Sequence, residues 1–192
     1  MNFKKKYSAK KGSIEVICGS MFSGKTEELL KRLKRGLFAK KKIIVFKPNV
    51  DVRYDEKKIV SHNKNQINSI IIKTPKEILG FVTDEDIIGI DEAQFFNTSL
   101  INICTILANN GKRVIITGLD MDFLGNPFNP IPQLLSIAET ITKLHAICVD
   151  CGDLANHSFR KNNEKKLIKL GEQDIYKPLC RACFYNLQKT NN

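Results

Sequence analysis

The chain has 192 residues, 42% of them hydrophobic and 27% charged, and a formal net charge of +11. That apolar share is enough for a packed core, which excludes a wholly disordered chain, and no apolar run approaches the roughly 20 residues of a membrane span. The first twelve residues are lysine-rich with no apolar stretch of the kind a secretory signal needs, so the expected setting is the cytoplasm, with reduced thiols and no membrane partner.

After that basic tail, 1–12, the chain alternates short apolar runs with longer amphipathic ones. Ile14–Cys18 reads as a strand ending at Gly19. Thr26 to Ala39 carries leucines at 29, 30, 33 and 37, the spacing of a helix with one apolar face. Ile43–Phe46 is a second strand, closed by Pro48. The polar, aperiodic stretch from Val50 to Asn68 reads as a long loop, a kind of segment that is often functional. Ile70–Ile72 is a third strand, followed by a short helix after Pro75. Ile87–Ile90 is a fourth, Leu100–Ala108 another helix, and Val114–Ile116 a fifth strand, ending at Thr117 and Gly118. Strands apolar on both faces and separated by helices predict a mainly parallel α/β sheet covered on both sides, over 13–140. From about Ile141 to 188 the pattern shifts to short β-like pieces with paired cysteines, a small second unit, and 189–192 reads as a frayed tail.

Three groups of residues carry chemistry. Gly19-Ser20-Met21-Phe22-Ser23-Gly24-Lys25-Thr26 fits the phosphate-loop pattern G-x-x-x-x-G-K-[ST], with a strand before it and a helix after it. Its glycines let backbone N–H groups curl around phosphate oxygens at a helix N-terminus. Lys25 reaches the β- and γ-phosphates, and the Thr26 hydroxyl binds Mg²⁺. The fourth strand runs into Asp91-Glu92. Asp91 there can hold Mg²⁺, and Glu92 can act as general base toward whatever attacks the γ-phosphate. Attack by water would make an ATPase, and attack by a substrate hydroxyl a kinase. Asp91-Glu92-Ala93-Gln94 also resembles the acidic box of helicases, although those use two such cores and this chain has room for one.

The third group is Cys148-x-x-Cys151 and Cys180-x-x-Cys183, four soft ligands for a closed tetrahedral Zn²⁺ site of structural type. A redox pair would need only one such motif. The 28 residues between the two motifs (152–179) exceed the roughly 15–20 of a simple zinc ribbon, so a loop must protrude between them. Cys18 and Cys104, alone in apolar surroundings, are expected to be packing residues. The charge of +11 admits nucleic acid but does not argue for it. The lysines cluster at Lys4–Lys11 and Lys31–Lys42, phosphate-rich substrates also favour a basic surface, and four zinc-bound thiolates would remove about two units.

The phosphate loop, the block Ile88-Gly89-Ile90-Asp91-Glu92-Ala93-Gln94-Phe95-Phe96, the block Gly118-Leu119-Asp120-Met121-Asp122-Phe123 and the cysteine pairs, with Tyr176-x-x-x-Cys180-Arg181 leading into the second, resemble type II thymidine kinases in order over roughly residues 13–185. The resemblance implies a RecA-like phosphate-loop fold with a zinc-bearing lasso unit, and transfer of phosphate from ATP to the 5′-hydroxyl of thymidine with Mg²⁺. It implies Glu92 as catalytic base, with Asp51-Val52-Arg53 matching a D-x-R element in which Arg53 stabilises the transferring phosphoryl and Asp51 assists the metal. The nucleoside pocket maps onto Met21, Phe95, Leu119, Phe123, Phe128 and Tyr176. A lasso over about Ile168 to Tyr176, including Leu170 and Gly171, would close over the base and exclude water. A homotetramer, feedback binding of thymidine triphosphate and no nucleic-acid partner are implied as well. This sequence departs from the family pattern at Ser20, often proline; at Leu124, often basic; at Asn129, often glycine; and at Glu172, usually small. The competing readings are a nucleic-acid-dependent ATPase with a zinc-ribbon module and a non-catalytic nucleotide-binding module. The joint presence of Lys25, Glu92 and Arg53 speaks against the second of these.

Overall fold

The computed structural model describes residues 11–49, 58–60, 66–161 and 175–190. In chain order its first strands are β1 (Ser13–Gly19), β2 (Ile43–Pro48), β3 (Lys58–Val60), β4 (Gln66–Asn68), β5 (Ile70–Ile72), β6 (Ile87–Ile90), β7 (Arg113–Gly118) and β8 (Thr140–Leu144). Six of them form one sheet in the order β5-β2-β6-β7-β1-β8, and every pairing in it is parallel. The helices are α1 (Lys25–Phe38), α2 (Ile78–Phe81), α3 (Ser99–Asn109), α4 (Ile131–Ile137) and α5 (Arg181–Thr190).

Strand alternation divides the core into two layers. Ile14, Val16 and Cys18 of β1, Ile88 and Ile90 of β6, and Val114 and Ile116 of β7 pack with Leu100, Ile103 and Leu107 of α3 and Ile131 and Leu134 of α4. Ile17, Ile87 and Ile115, pointing the other way, pack with Leu29, Leu30 and Leu33 of α1. Burial of each such side chain contributes about 1.5–3 kcal/mol. Gly89 lets α1 pack closely without displacing its neighbours. A Cβ there would come within 3.3 Å of both Leu33 methyl groups and 3.2 Å of Val45 Cγ1. Cys18 and Cys104 are buried in the first layer, as expected of packing residues. Burial pushes the Cys104 thiol up to about 12; burial, followed by the charge of Asp120, pushes Cys18 up to about 11.

The structure corrects four expectations. Leu37 does not join the buried face of α1 but is 51% exposed; in that last turn it is Gly36 that meets the sheet, where a Cβ would lie 2.4 Å from Ile87 Cδ1. The sheet has a sixth strand, β8, so residues 141–144, read as the start of the second unit, complete the first. This edge strand, Thr-Ile-Thr-Lys-Leu, is largely exposed and lacks the continuous apolar run of a buried one. Within 50–68, β3 and β4 pair antiparallel, three residues each and too short to show a period. Finally, α5 continues to Thr190, past the expected start of a tail at 189. Helix α4 has no helical period to mark it in the sequence and is flanked and entered by Pro130 and Pro132, yet proline is tolerated in a first helical turn.

One polar side chain ties four elements together. Glu15 of β1, buried on the α1 side, accepts from Arg32 of α1 at 2.8 Å and from Arg113 of β7 at 2.5 and 3.1 Å. Arg32 also donates to Thr142 of β8 at 2.8 Å. Burial alone would raise the Glu15 carboxyl, but the two guanidinium groups outweigh it and hold the carboxyl below its ordinary value of 4.5. Its stabilisation is therefore complete above pH 4.5 and is lost as the pH falls through the lowered folded value. Glu15→Gln should destabilise the fold by about 1–3 kcal/mol at pH 7 and flatten the loss of stability below pH 4.5. Urea titrations at pH 7 and in that acid range would check both effects.

The C-terminal part is built from β9 (Ala146–Ile147) paired with β10 (Leu154–Ala155), β11 (His157–Arg160) paired with β12 (Tyr176–Leu179), and α5. Its own small core holds Ala146, Ala155, Leu179 and Phe184 together with Cys148 and Cys180.

Candidate active site

Parallel strands deliver their C-terminal ends to one rim of the sheet, and the predicted chemistry gathers there. The phosphate loop leaves β1 at Gly19, whose φ of 146° and tight surroundings leave no room for a side chain. A Cβ would lie 2.2 Å from the Leu144 carbonyl oxygen. Phe22 takes a left-handed φ of 65°, a strained conformation for a residue with a Cβ. Lys25 opens α1, is buried and donates to the Ser20 carbonyl at 2.7 Å. Ser23 Oγ donates to the same oxygen at 2.8 Å. Thr26 follows on the first turn, half-buried.

The loop is anchored from outside as well. Ser20 Oγ donates to the Ala155 carbonyl at 3.2 Å, the Met21 N–H donates to Ser158 Oγ at 2.9 Å, and Phe22 packs against the C-terminal core. The departure at Ser20 thereby acquires a reason, since proline could not make that bond.

Two strands away, β6 runs directly into Asp91, which is buried. Thr117 at the end of β7 donates its hydroxyl to Asp91 Oδ1, and the Glu92 N–H donates to the same oxygen at 3.0 Å. Glu92 is half-buried and held at a φ of 52°, a conformation that costs about 1–3 kcal/mol without a glycine. Gln94 bridges outward from it. Its Nε2 donates to Glu92 Oε2, and its Oε1 accepts from the Leu119 N–H at 3.0 Å. The acidic pair is thus tied to the loop that follows β7.

That loop carries Leu119, Phe123 and Phe128, all half-buried, and is folded around Asp122, whose Oδ1 accepts from the backbones of Leu124 and Asn126 at 2.9 Å each. Phe95 lies on the short turn after Glu92, half-buried. Tyr176 opens β12 and is buried. The structure joins Tyr176 and Phe123 through Arg160, which hydrogen-bonds the first and stacks on the second. Met21 is joined to the same strand through Ser158. No bond among the described residues links Phe95 or Phe128 to the other predicted pocket residues. Asp51, Arg53, Ile168, Leu170, Gly171 and Glu172 lie outside the described residues.

Cys148, Cys151, Cys180 and Cys183 converge, with all four Sγ atoms within 4.8 Å of one another. Cys151 and Cys180 are 3.6 Å apart, too far for a disulfide and close to the ~3.8 Å edge of a zinc–thiolate tetrahedron with ~2.3 Å bonds. The Cys183 N–H points at Cys180 Sγ at 3.4 Å, a donor suited to a thiolate. The cluster fits a structural metal ion such as zinc. Sequence patterns had not singled out Thr117, Ser158 or Arg160. They are single polar residues inside strands, and only their partners across the fold mark them.

A phosphate-loop motif on a parallel sheet, a strand-end Asp-Glu pair beside it and a four-cysteine cluster braced against the loop define an α/β protein of phosphate-loop type with a metal-type C-terminal unit. The chain belongs to the thymidine kinase family, whose model matches residues 12–184. Thymidine kinase of Bacteroides thetaiotaomicron is 56% identical over 175 residues, 91% of this chain and 88% of that protein. Those of Porphyromonas gingivalis and of Rhodothermus sp. are 52% and 51% identical over 177 and 173 residues. The matches cover 92% and 90% of this chain and 87% and 81% of the relatives.

Proposed function

We propose that the chain transfers the γ-phosphoryl group of ATP to the 5′-hydroxyl of thymidine, giving ADP and thymidine 5′-monophosphate. The observation that carries this reading is Glu92. It is a half-buried carboxylate one residue beyond the strand-end Asp91, tethered by Gln94 to Leu119, in a chain whose relatives over nearly its whole length are thymidine kinases. As thymidine O5′ attacks, Glu92 takes its proton. The new O–P bond forms while the bond to the β-phosphate oxygen breaks and ADP leaves. Lys25 holds the β- and γ-phosphates, and Arg53 offsets charge on the phosphoryl in transit. The Thr26 hydroxyl and the Asp91 and Asp51 carboxylates are oxygen donors of the kind Mg²⁺ takes, and Mg²⁺ with ATP supplies charge neutralisation. Zn²⁺ at the four cysteines would be fully ligated, leaving no open position for catalysis, and would anchor both feet of the loop over the base. Met21, Phe95, Leu119, Phe123, Phe128 and Tyr176 surround that base in this reading. A homotetramer, inhibition by thymidine triphosphate and cytoplasmic residence complete it, each supported by membership of the family.

ATP consumption measured with thymidine, with single-stranded DNA and with neither tests the reading. Turnover should require thymidine and ignore DNA. Turnover stimulated by DNA without thymidine would replace the kinase with a nucleic-acid-dependent ATPase.

A further inference from the structure

Arg160 closes β11 and is only 5% exposed. A guanidinium withdrawn from water to that degree must be matched by its surroundings. Tyr176, its partner in the strand register, supplies part of the match. Arg160 Nε and one terminal nitrogen donate to the Tyr176 hydroxyl oxygen at 3.1 and 2.7 Å. On its flat side the guanidinium carbon lies 3.7 Å from the centroid of the Phe123 ring. A single side chain thus holds one aromatic residue by its hydroxyl and another by its face. These two residues, one in the loop after β7 and one at the start of β12, lie 53 positions apart in the chain, and both belong to the proposed nucleoside pocket.

Two consequences follow for the pocket. One face of Phe123 is covered by the guanidinium, so a bound base can use only the opposite face or the ring edge. Both arginine contacts use the Tyr176 oxygen as acceptor, so the single phenolic hydrogen is turned away from Arg160. Each ring is therefore restricted in position, and the phenol also in the direction of its donor.

We propose that Arg160 is a positioning residue for the thymidine base, setting the Phe123 ring and the Tyr176 phenol before the substrate arrives. The inference rests on reading these two residues as pocket residues. A planar fork is required, because an ammonium can neither stack flat on Phe123 nor direct two converging donors at one hydroxyl oxygen. The same bonds leave the phosphate end of the site untouched, which separates a positioning role from a merely structural one.

The test is steady-state kinetics of the full chain with thymidine and ATP varied separately, for the parent, Arg160→Lys, Tyr176→Phe and the double variant, with the thermal midpoint measured alongside. Arg160→Lys should raise the thymidine KM about ten-fold, the size of one lost interaction of this strength. The KM for ATP should stay within about two-fold, and kcat should fall far less than kcat/KM for thymidine. Tyr176→Phe should raise the thymidine KM in the same direction, and the double variant should be little worse than Arg160→Lys, because the hydroxyl acts through the guanidinium. An unchanged thymidine KM in Arg160→Lys overturns the proposal, as does an equal rise in KM for both substrates. If Arg160→Lys does not fold, Tyr176→Phe decides by the same criterion. A parent protein with no thymidine-dependent turnover removes the kinase reading and this inference together. An active parent with an indifferent Arg160→Lys variant removes this inference alone.

Discussion

Glu92→Gln should bind ATP as the parent does and lose on the order of 10²–10⁴-fold in turnover, the range for a deleted general base. The substitution is nearly isosteric. A glutamine carbonyl can still accept from Gln94 Nε2, and both residues bear the same strain at a φ of 52°. Stability and the path through Gln94 to Leu119 should therefore survive, leaving the missing proton acceptor as the change. Single-turnover phosphoryl transfer, with ATP affinity measured on the same sample, separates these effects. Parent-like turnover would refute the assignment of Glu92. A loss of ATP affinity as large as the loss of rate would instead place Glu92 in nucleotide binding.

The second large effect concerns the four-cysteine cluster. Cys180 is both a candidate ligand and a member of the small C-terminal core, which otherwise rests on a few apolar side chains: Ala146, Ala155, Leu179 and Phe184. So small a core has little stability of its own, and bound structural zinc supplies on the order of 10 kcal/mol in isolated peptides. Cys180→Ser, or stripping the metal with a chelator, should lower the thermal midpoint by roughly 10 °C or more, at about 2–4 °C per kcal/mol for a chain of this size. Thymidine-dependent activity should be lost with it, because the strands that anchor Ser20 and Met21 lie in that unit. Metal analysis of the parent should return one zinc per chain. A folded, active preparation without metal would show that the cluster stands unaided.

Much of this site was legible in the sequence because its chemistry demands fixed spacing. The phosphate loop needs its glycines and Lys25 at set intervals, a strand-end carboxylate announces itself by the apolar run before it, and two C-x-x-C knuckles are hard to mistake. The sheet was legible for a related reason, since strands buried on both faces must be apolar throughout. What escaped was structure whose stability comes from partners far away in the chain. Strand β8 is polar and exposed and exists because β1 lies beside it. Helix α4 opens with prolines and is held by the core. Arg160 has no motif around it, and its part emerges only when β11 is laid against β12 and the loop carrying Phe123. Ser20, marked in the sequence only as a departure, turned out to have a bond that the commoner proline would forbid.

The anchoring of the phosphate loop also sets an order of events during synthesis. Its bonds to Ala155 and Ser158 span 135 and 137 residues of chain. A ribosome that has released β1, α1 and even β7 has made every residue of the phosphate motif but none of the groups that brace it from outside. Contacts of such long range form late, after the entropy of closing a large loop has been met. A nascent or truncated chain ending before residue 155 should therefore carry the complete motif without its braces. Nucleotide affinity should appear only once the last fifth of the polypeptide has emerged and folded back.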